Sequence, residues 1–536
     1  MTYRLLAALV LVGTMWPTAG SAEPIAIGSR LELMVDEHLI DSMAGGIRLV
    51  LHRPERKEIV LRTDEPWGGN ASGYQSVFKD GDLYRMYYRG GHYRNGGEST
   101  QGRETHPWVL CYAESDDGIH WRKPELGILE FDGSTKNNIV LTTELVASIG
   151  GCPAHTATFK DANPDCPADE KYKIIIVGRE PSRGLYVLTS PDGLRFSLKT
   201  EEPLPLAGAF DSQNLAFWDP VRREYRAYWR IFTEGVTDTD TWKPAGYRAI
   251  RTAASKDFVQ WSEAADLTYA DSPEEQLYTN QIQPYYRAPH VFMGFPMRYN
   301  DRGWSEPMFD LPGLEDRLAR AKASRRYGTA LSDALFMTSR DGLKFNRWGE
   351  ALIRPGPRQK DTWVYGDNFI FWGMVETKSH LEDAPDEISL FAVEGYWQDT
   401  YTSVRRYTLR VDGFVSAYAP LDGGEFITKP ITFEGGNLTL NAATSAAGGV
   451  QVEIQDSDGK PIEGYALDDC PEIFCDSLRH VVRWQQGGDV RPLAGKPVRL
   501  RFVLRDADLY SFQFVPHEPD PERPNAAQPG ATAQRN

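Results

Sequence analysis

The chain has 536 residues, 41% of them hydrophobic and 12% aromatic, and carries a formal net charge of −16. That length holds two or three domains with sizeable cores, and the acidic balance argues against nucleic acid as a partner, which needs a basic face. After the first residues no segment approaches the roughly 20 consecutive apolar residues of a membrane span, so none is expected.

Residues 1–22 read as a secretory signal. Arg4 precedes an apolar run from Leu5 to Val12, and the small residues Ala19-Gly20-Ser21-Ala22 lead into Glu23-Pro24, so cleavage is expected near Ala22 and the protein in the periplasm or outside the cell. In such an oxidising compartment Cys152 with Cys166, and Cys470 with Cys475, are expected to bridge, leaving Cys111 as a buried thiol. No second ligand pair sits at zinc spacing, and no metal is expected at the site.

Residues 23–60 form a strand-rich lead-in that either completes the last blade of the next domain or lies across it. From 61 to 426 one plan repeats: two strands joined by a turn, a longer connection, then a strand that ends in a fixed motif. The motif is Ser115-Asp116-Asp117-Gly118-Ile119-His120-Trp121, then Ser190-Pro191-Asp192-Gly193-Leu194-Arg195-Phe196, a decayed Ser255-Lys256-Asp257-Phe258, and Ser339-Arg340-Asp341-Gly342-Leu343-Lys344-Phe345. Asp412-Gly413-Phe414 is counted as a fifth copy. A loose period of about 75 residues with one local motif signals propeller blades. Within the motif, Asp bonds the backbone two residues on, Gly supplies φ > 0 and the aromatic residue enters a core, so its role is structural.

The first two strands of each unit are expected at Tyr74–Phe78 with Leu83–Tyr88, Thr156–Phe159 with Tyr172–Val177, and Asn214–Trp218 with Tyr225–Trp229. Asn280–Tyr286 with His290–Pro296, and Phe369–Val375 with Ile388–Val393, complete five pairs. Leu314 to Ala323 has helical spacing and reads as an amphipathic insertion, either rimming a site or packing on its blade. Residues 427–516 alternate at period two and read as a C-terminal β-sandwich, and 517–536 as a disordered tail. The expected class is therefore all-β: a five-bladed β-propeller followed by a β-sandwich.

In a propeller the starts of the first strands and the ends of the second strands share one face. On it would stand His155, Asp211, Glu275, Asn280, Asp367 and Asn368 from the first set, and Arg89, Arg179 with Glu180, Arg230 and Arg298 from the second. Carboxylates across a concave site suit glycosidic cleavage, one protonating the leaving oxygen while another acts as base or nucleophile. Asp211 is the candidate base or nucleophile, Glu275 the general acid, and Asp367 a third carboxylate that orients substrate or tunes the acid. Arginines recognise carboxylate or sulfate through paired hydrogen bonds, so an anionic oligo- or polysaccharide is the expected substrate. Each of these residues also has a plain structural reading as an inter-blade ion pair or turn cap. Asp219, before Pro220, falls on the opposite face and reads as a turn residue.

The blade plan, the Ser-x-Asp-Gly hairpins and the appended sandwich resemble the five-bladed glycoside hydrolases of families 32, 43 and 117, family 32 most of all in layout. That resemblance implies an aspartate on the first blade, another on the next, and a glutamate acid further on. This chain departs from it: the first blade offers Trp67-Gly68-Gly69-Asn70, Asp219 is not preceded by Arg, and no Glu-Cys pair exists. Sialidases also carry Asp hairpins and an arginine cluster for the sugar carboxylate, but with six blades and a tyrosine nucleophile. A glycoside hydrolase is thus expected, with a glycan-binding propeller without activity and a sialidase-like hydrolase as alternatives. No cofactor is expected, although the channel leaves room for a structural calcium. Oligomeric state is open.

Overall fold

The computed structural model describes residues 23–94, 104–237, 242–270, 272–360, 362–398 and 400–519. The signal-like segment 1–22 and most of the expected tail lie outside the described residues. The chain is all-β and divides into two units, one made of Leu33–Asp36 with Leu49–Ala417, the other of the flanking N-terminal residues, Glu37–Arg48 and everything from Tyr418 onward.

Among the described residues the larger unit contains six sheets in five successive groups, antiparallel except where Thr268–Tyr269 pairs with Lys344–Arg347. Sheet 1 runs Ser76–Asp80, Leu83–Gly90, Val109–Ser115, Ile139–Thr142, and sheet 2 runs Cys152–Lys160, Tyr172–Gly178, Gly184–Ser190, Ser197–Leu198. Sheet 3 runs Leu215–Asp219, Glu224–Val236, Lys243–Ser255, Ala265–Asp266. The fourth group is split. Gln283–Tyr285, Ala288–Gly294, Met337–Ser339 and Lys344–Arg347 form one part, and Gln276–Leu277, Met297–Asp301 and Ala330–Ala334 the other. Sheet 5 runs Val375–Thr377, Glu387–Glu394, Ser403–Arg410 and is completed by Glu55–Arg62 from the lead-in, in the register Leu61↔Val404.

The leading segments of the sheets touch one another. Thr158 N donates to Ser76 Oγ at 3.1 Å, Gln213 Nε2 to Tyr74 O at 3.0 Å, Trp372 N to Gln75 O at 3.0 Å, and Trp372 Nε1 to Ile282 O at 3.0 Å. Alternation along each strand sends one set of side chains to each neighbouring sheet. In Leu83–Gly90, Tyr84, Met86 and Tyr88 pack with Phe371 and with Phe391 and Val393 of sheet 5, while Tyr87 packs with Tyr172 and Ile174 of sheet 2. Strands buried on both faces explain why these runs read as continuously hydrophobic.

The repeated motif joins the third strand to the fourth in four of these groups, with one hydrogen-bond set throughout. Asp117, Asp192, Asp257 and Asp341 each accept two amides on Oδ1, those of the second and third residues on, at 2.8–2.9 Å. The preceding Ser Oγ accepts the amide of the following position at 2.9 Å in every copy. Gly118, Gly193 and Gly342 hold φ of 74°, 78° and 77°; Phe258, where Gly is lost, keeps the same left-handed turn at 66°. The turn also clamps sheets together, since Tyr87 of sheet 1 donates to Gly193 O and Tyr228 of sheet 3 to Gly342 O, both at 2.8 Å. Asp412 differs from these copies. It has no preceding Ser, and its Oδ1 takes the Tyr285 hydroxyl at 2.6 Å and Arg287 Nε at 2.9 Å.

The expected helix spans Leu314–Ala321 and is flanked by short helices at Glu306–Phe309 and Arg326–Thr329. In the smaller unit Asn437–Gln455 pairs along its length with Arg499–Val515, and Gly424–Thr428 pairs with both Arg499–Val515 and Ile40–Gly45. The break between units therefore falls before Tyr418, and part of the lead-in belongs with the C-terminal strands. Phe433 and Phe514 stack there at 3.6 Å, and Trp484 Nε1 donates to Val452 O at 2.9 Å.

The expected disulfides do not form, and none of the five cysteines is bridged to another. Cys152 opens the nine-residue strand Cys152–Lys160 opposite Val177, whereas Cys166 lies beside Lys173, the partner of Phe159 at the far end. At about 3.3 Å per residue the two thiols are roughly 20 Å apart. Cys470 lies at Val452 and Cys475 at Ala442, ten positions apart along one strand.

Candidate functional site

Four of the expected residues share one neighbourhood. Arg89 ends the second strand of sheet 1 on the face that carries Tyr87, so it turns toward sheet 2. Its Nε donates to Ala71 O at 2.8 Å, NH1 to Ala154 O at 3.2 Å and NH2 to the Tyr396 hydroxyl at 3.0 Å. Its guanidinium also lies 4.9 Å from the ring centroids of both Tyr74 and Trp108. His155 packs on Tyr74 at 5.4 Å. Burial first, then the charges of Arg89, Arg230, Arg179 and Arg183, push this imidazole down to about 3, so it stands neutral at neutral pH.

Arg230 follows the same rule on sheet 3: it shares a face with Tyr228 and turns toward sheet 4. Its guanidinium is 2% exposed and ion-paired to Asp211, whose side chain is 45% exposed. The cation therefore lies beneath and the carboxylate lies toward solvent. Arg230 also sits 5.1 Å from the ring centroid of Tyr278, and Arg248, on the third strand, 5.2 Å from the same ring. Arg326, from the short helix of the insertion, lies 5.9 Å from the Tyr365 ring, and the Tyr365 hydroxyl donates to that of Tyr278 at 3.1 Å. Tyr299, Tyr327, Tyr396 and Trp397 complete an aromatic cage.

The electrostatic result centres on Tyr278. Burial opposes its ionisation, but Arg230, then Arg326, the Tyr365 hydrogen bond and Arg248 outweigh it and draw the phenol down to about 7. Tyr74 and Tyr365, in the same cage, are instead pushed up by burial. Among the described residues Asp211 is the one acidic partner of the four arginines 89, 230, 248 and 326. Among the described residues no group of three or more His, Cys, Asp or Glu side chains is placed to hold a metal.

The other expected residues stand differently. Glu275 is gripped by Arg298 at 2.8 Å and by Arg347, and Arg298 is paired again with Asp333 at 2.6 Å. Arg298 leaves its strand on the face opposite Tyr299, so this ion-pair network lies on the other side of the strand from the cage. Asp367 is buried and accepts the Tyr396 amide at 3.0 Å, which fixes the cage backbone. Asn280 receives the Ile282 amide at 3.3 Å, and Asn368, at φ 60°, donates to Ser332 O at 3.1 Å; both hold turns. Arg179 and Glu180 are exposed. Asp219 closes its hairpin by accepting the amides of Val221 and Arg222.

Sequence reasoning did not reach Tyr278, Tyr365, Tyr396, Arg248 or Arg326. Tyr278 lies three residues after Glu275 in a segment rich in polar groups, and no local pattern marks a phenol that acquires its neighbours from three other elements.

No family model matches the chain, and no curated protein does. Several solved structures resemble it. One is an N-acetylgalactosamine deacetylase from F. plautii in complex with blood group B trisaccharide, at 11% identity and TM-score 0.39, covering 67% of this chain and 95% of that one. A second is the catalytic domain of a GH62 α-L-arabinofuranosidase from Coprinopsis cinerea, at 7% identity and TM-score 0.38, covering 67% and 99%. A third is an endo-1,4-β-xylanase from Bacteroides thetaiotaomicron, at 12% identity and TM-score 0.36, covering 66% and 95%.

Proposed function

We propose that this protein is an exported carbohydrate-active enzyme that cleaves a glycosidic bond in an anionic glycan, and that its five sheet groups are the blades of a propeller followed by a β-sandwich. One observation supports the reading above all: the guanidinium groups of Arg89, Arg230, Arg248 and Arg326 are gathered around phenol rings with Asp211 as their one acidic partner among the described residues. In a chain of net charge −16, so local an excess of buried cation is costly unless an anion completes it. A sugar carboxylate or sulfate supplies that anion through charge-assisted, often bidentate, hydrogen bonds.

The reacting groups in this reading are Asp211 and Tyr278. Tyr278, in its phenol form, protonates the leaving oxygen, and Asp211, half-exposed at the mouth and paired as a carboxylate with Arg230, takes the proton of the water that attacks the sugar carbon. Glu275 and Asp367 become positioning residues, because each carboxylate already serves a structural partner. His155, neutral, packs on Tyr74 and offers the sugar a hydrogen bond.

The test is turnover of matched neutral, uronate-bearing and sulfated oligosaccharides, with products identified by mass spectrometry. The anionic members should be cleaved, with losses of about 100-fold or more in kcat/KM for D211N and Y278F, and a larger KM rise for R230Q on anionic than on neutral substrates. Binding without cleavage removes the enzyme claim, and equal handling of neutral and anionic members removes the anion claim.

A further inference from the structure

The helical insertion and the strand Met297–Asp301 border a cavity of about 750 Å³ on the face of that strand opposite the tyrosine cage. Its wall carries four arginines, Arg298, Arg302, Arg354 and Arg358, against two acids, Asp333 and Glu350. Asp333 is already committed to Arg298. Arg302, Arg354 and Arg358 are exposed, and their side chains make no hydrogen bond or ion pair among the described residues.

The wall is also built rather than loose. Trp363 lines it with its indole held, Nε1 donating to Gly356 O at 2.9 Å, and its backbone sits at φ 62°, a conformation a bulky residue adopts only when its surroundings impose it. Arg317 of the helix is 1% exposed; it donates Nε to Pro312 O at 3.0 Å and a second nitrogen to Trp363 O, tying the Trp363 segment to the insertion. Met308 and Leu311 supply apolar surface beside the indole.

We infer that this cavity is a second carbohydrate-binding site, separate from the tyrosine cage, that holds an anionic segment of a polysaccharide chain. Its volume is in the range of small-molecule sites, about 300–1,000 Å³. An indole face suits the apolar face of a sugar ring, and uncommitted guanidinium groups suit its sulfates or carboxylates. The strand makes the two sites back to back: Tyr299 joins the cage while Arg298 and Asn300, on the opposite face, line the cavity. The ligand class rests on the function proposed above, but the site stands on its own residues.

The experiment measures binding of dextran sulfate and neutral dextran of equal length to the full chain at several salt concentrations. Three proteins are compared: the native chain, R354Q/R358Q, and R53Q/R223Q, which removes two exposed arginines outside the cavity lining. R354Q/R358Q should weaken dextran sulfate binding about tenfold or more and flatten its salt dependence, while R53Q/R223Q retains most of it. Equal binding by R354Q/R358Q and the native chain overturns the inference, as does an equal loss in R53Q/R223Q or equal affinity for neutral dextran. If no glycan is cleaved but the R354Q/R358Q effect is present, the proposed function fails and this site stands. Cleavage of anionic oligosaccharides without that effect has the reverse meaning.

Discussion

Removing Arg248 should move the ionisation of Tyr278. The guanidinium lies 5.2 Å from the ring centroid, and two unit charges at that separation interact by about 3 kcal/mol at an effective dielectric of 20. Arg248 is only partly buried, so solvent reduces this, and R248Q is expected to raise the phenol by roughly 1–2 pH units from about 7. The assay is an ultraviolet pH titration of phenolate, taken as the difference between each protein and the same protein carrying Y278F. The chain has 25 tyrosines, but the buried ones beside Tyr278, including Tyr74 and Tyr365, are shifted upward and leave the neutral window clear. Because the folded value lies below the roughly 10 of a free phenol, ionised Tyr278 stabilises the fold increasingly as pH rises from about 7 to 10 and not below 7. Thermal unfolding of Y278F against the native chain should therefore diverge only on the alkaline side. A native difference titration that is flat around neutrality, or an R248Q curve that superposes on it, would refute the reasoning.

Three further outcomes follow from the same structure. Lys173, 1% exposed, pairs with fully buried Asp161 at 2.7 Å; K173M should cost about 3 kcal/mol in urea unfolding by leaving that carboxylate uncompensated, and a loss under about 1 kcal/mol would contradict it. Asp192 is opposed by partial burial but held down to about 2, chiefly by the Arg195 and Leu194 amides. Its contribution is present above about pH 4 and is lost as pH falls toward 2, so D192N should lower stability at neutral pH while flattening the acid limb. Filling the φ 78° turn with G193V, where a Cβ would meet Tyr87 Oη at 2.8 Å, should destabilise more than D192N does, read by the shift in Tm.

The sheet plan was legible because it is local. Asp-Gly turns, period-two strands and buried hydrophobic runs are set by neighbours within a few residues, so the first four strand pairs and the helix at Leu314–Ala321 fall near where the pattern places them, whereas the expected strand Phe369–Val375 forms instead at Val375–Thr377. Asp412 shows the limit. Its Asp-Gly-Phe looks like a motif copy, yet the hydroxyl of Tyr285 and Arg287 Nε decide what it does. The cysteines fail in the same way, because closeness in sequence is not closeness along an extended strand.

By itself the sequence determined the all-β class, the repeating units and a recurring arginine, although Arg230 falls inside Glu224–Val236 and Arg298 in the separate strand Met297–Asp301 rather than at the ends of second strands. Only the tertiary structure decided which of those arginines act together. Arg89 and Arg230 turn into the tyrosine cage, whereas Arg298 turns away to bind Glu275 and Asp333. The physical reason is side-chain alternation: one residue of register sends equivalent charges to opposite faces of a strand. An ionisable phenol such as Tyr278 exists only where charges from several sheets converge on it.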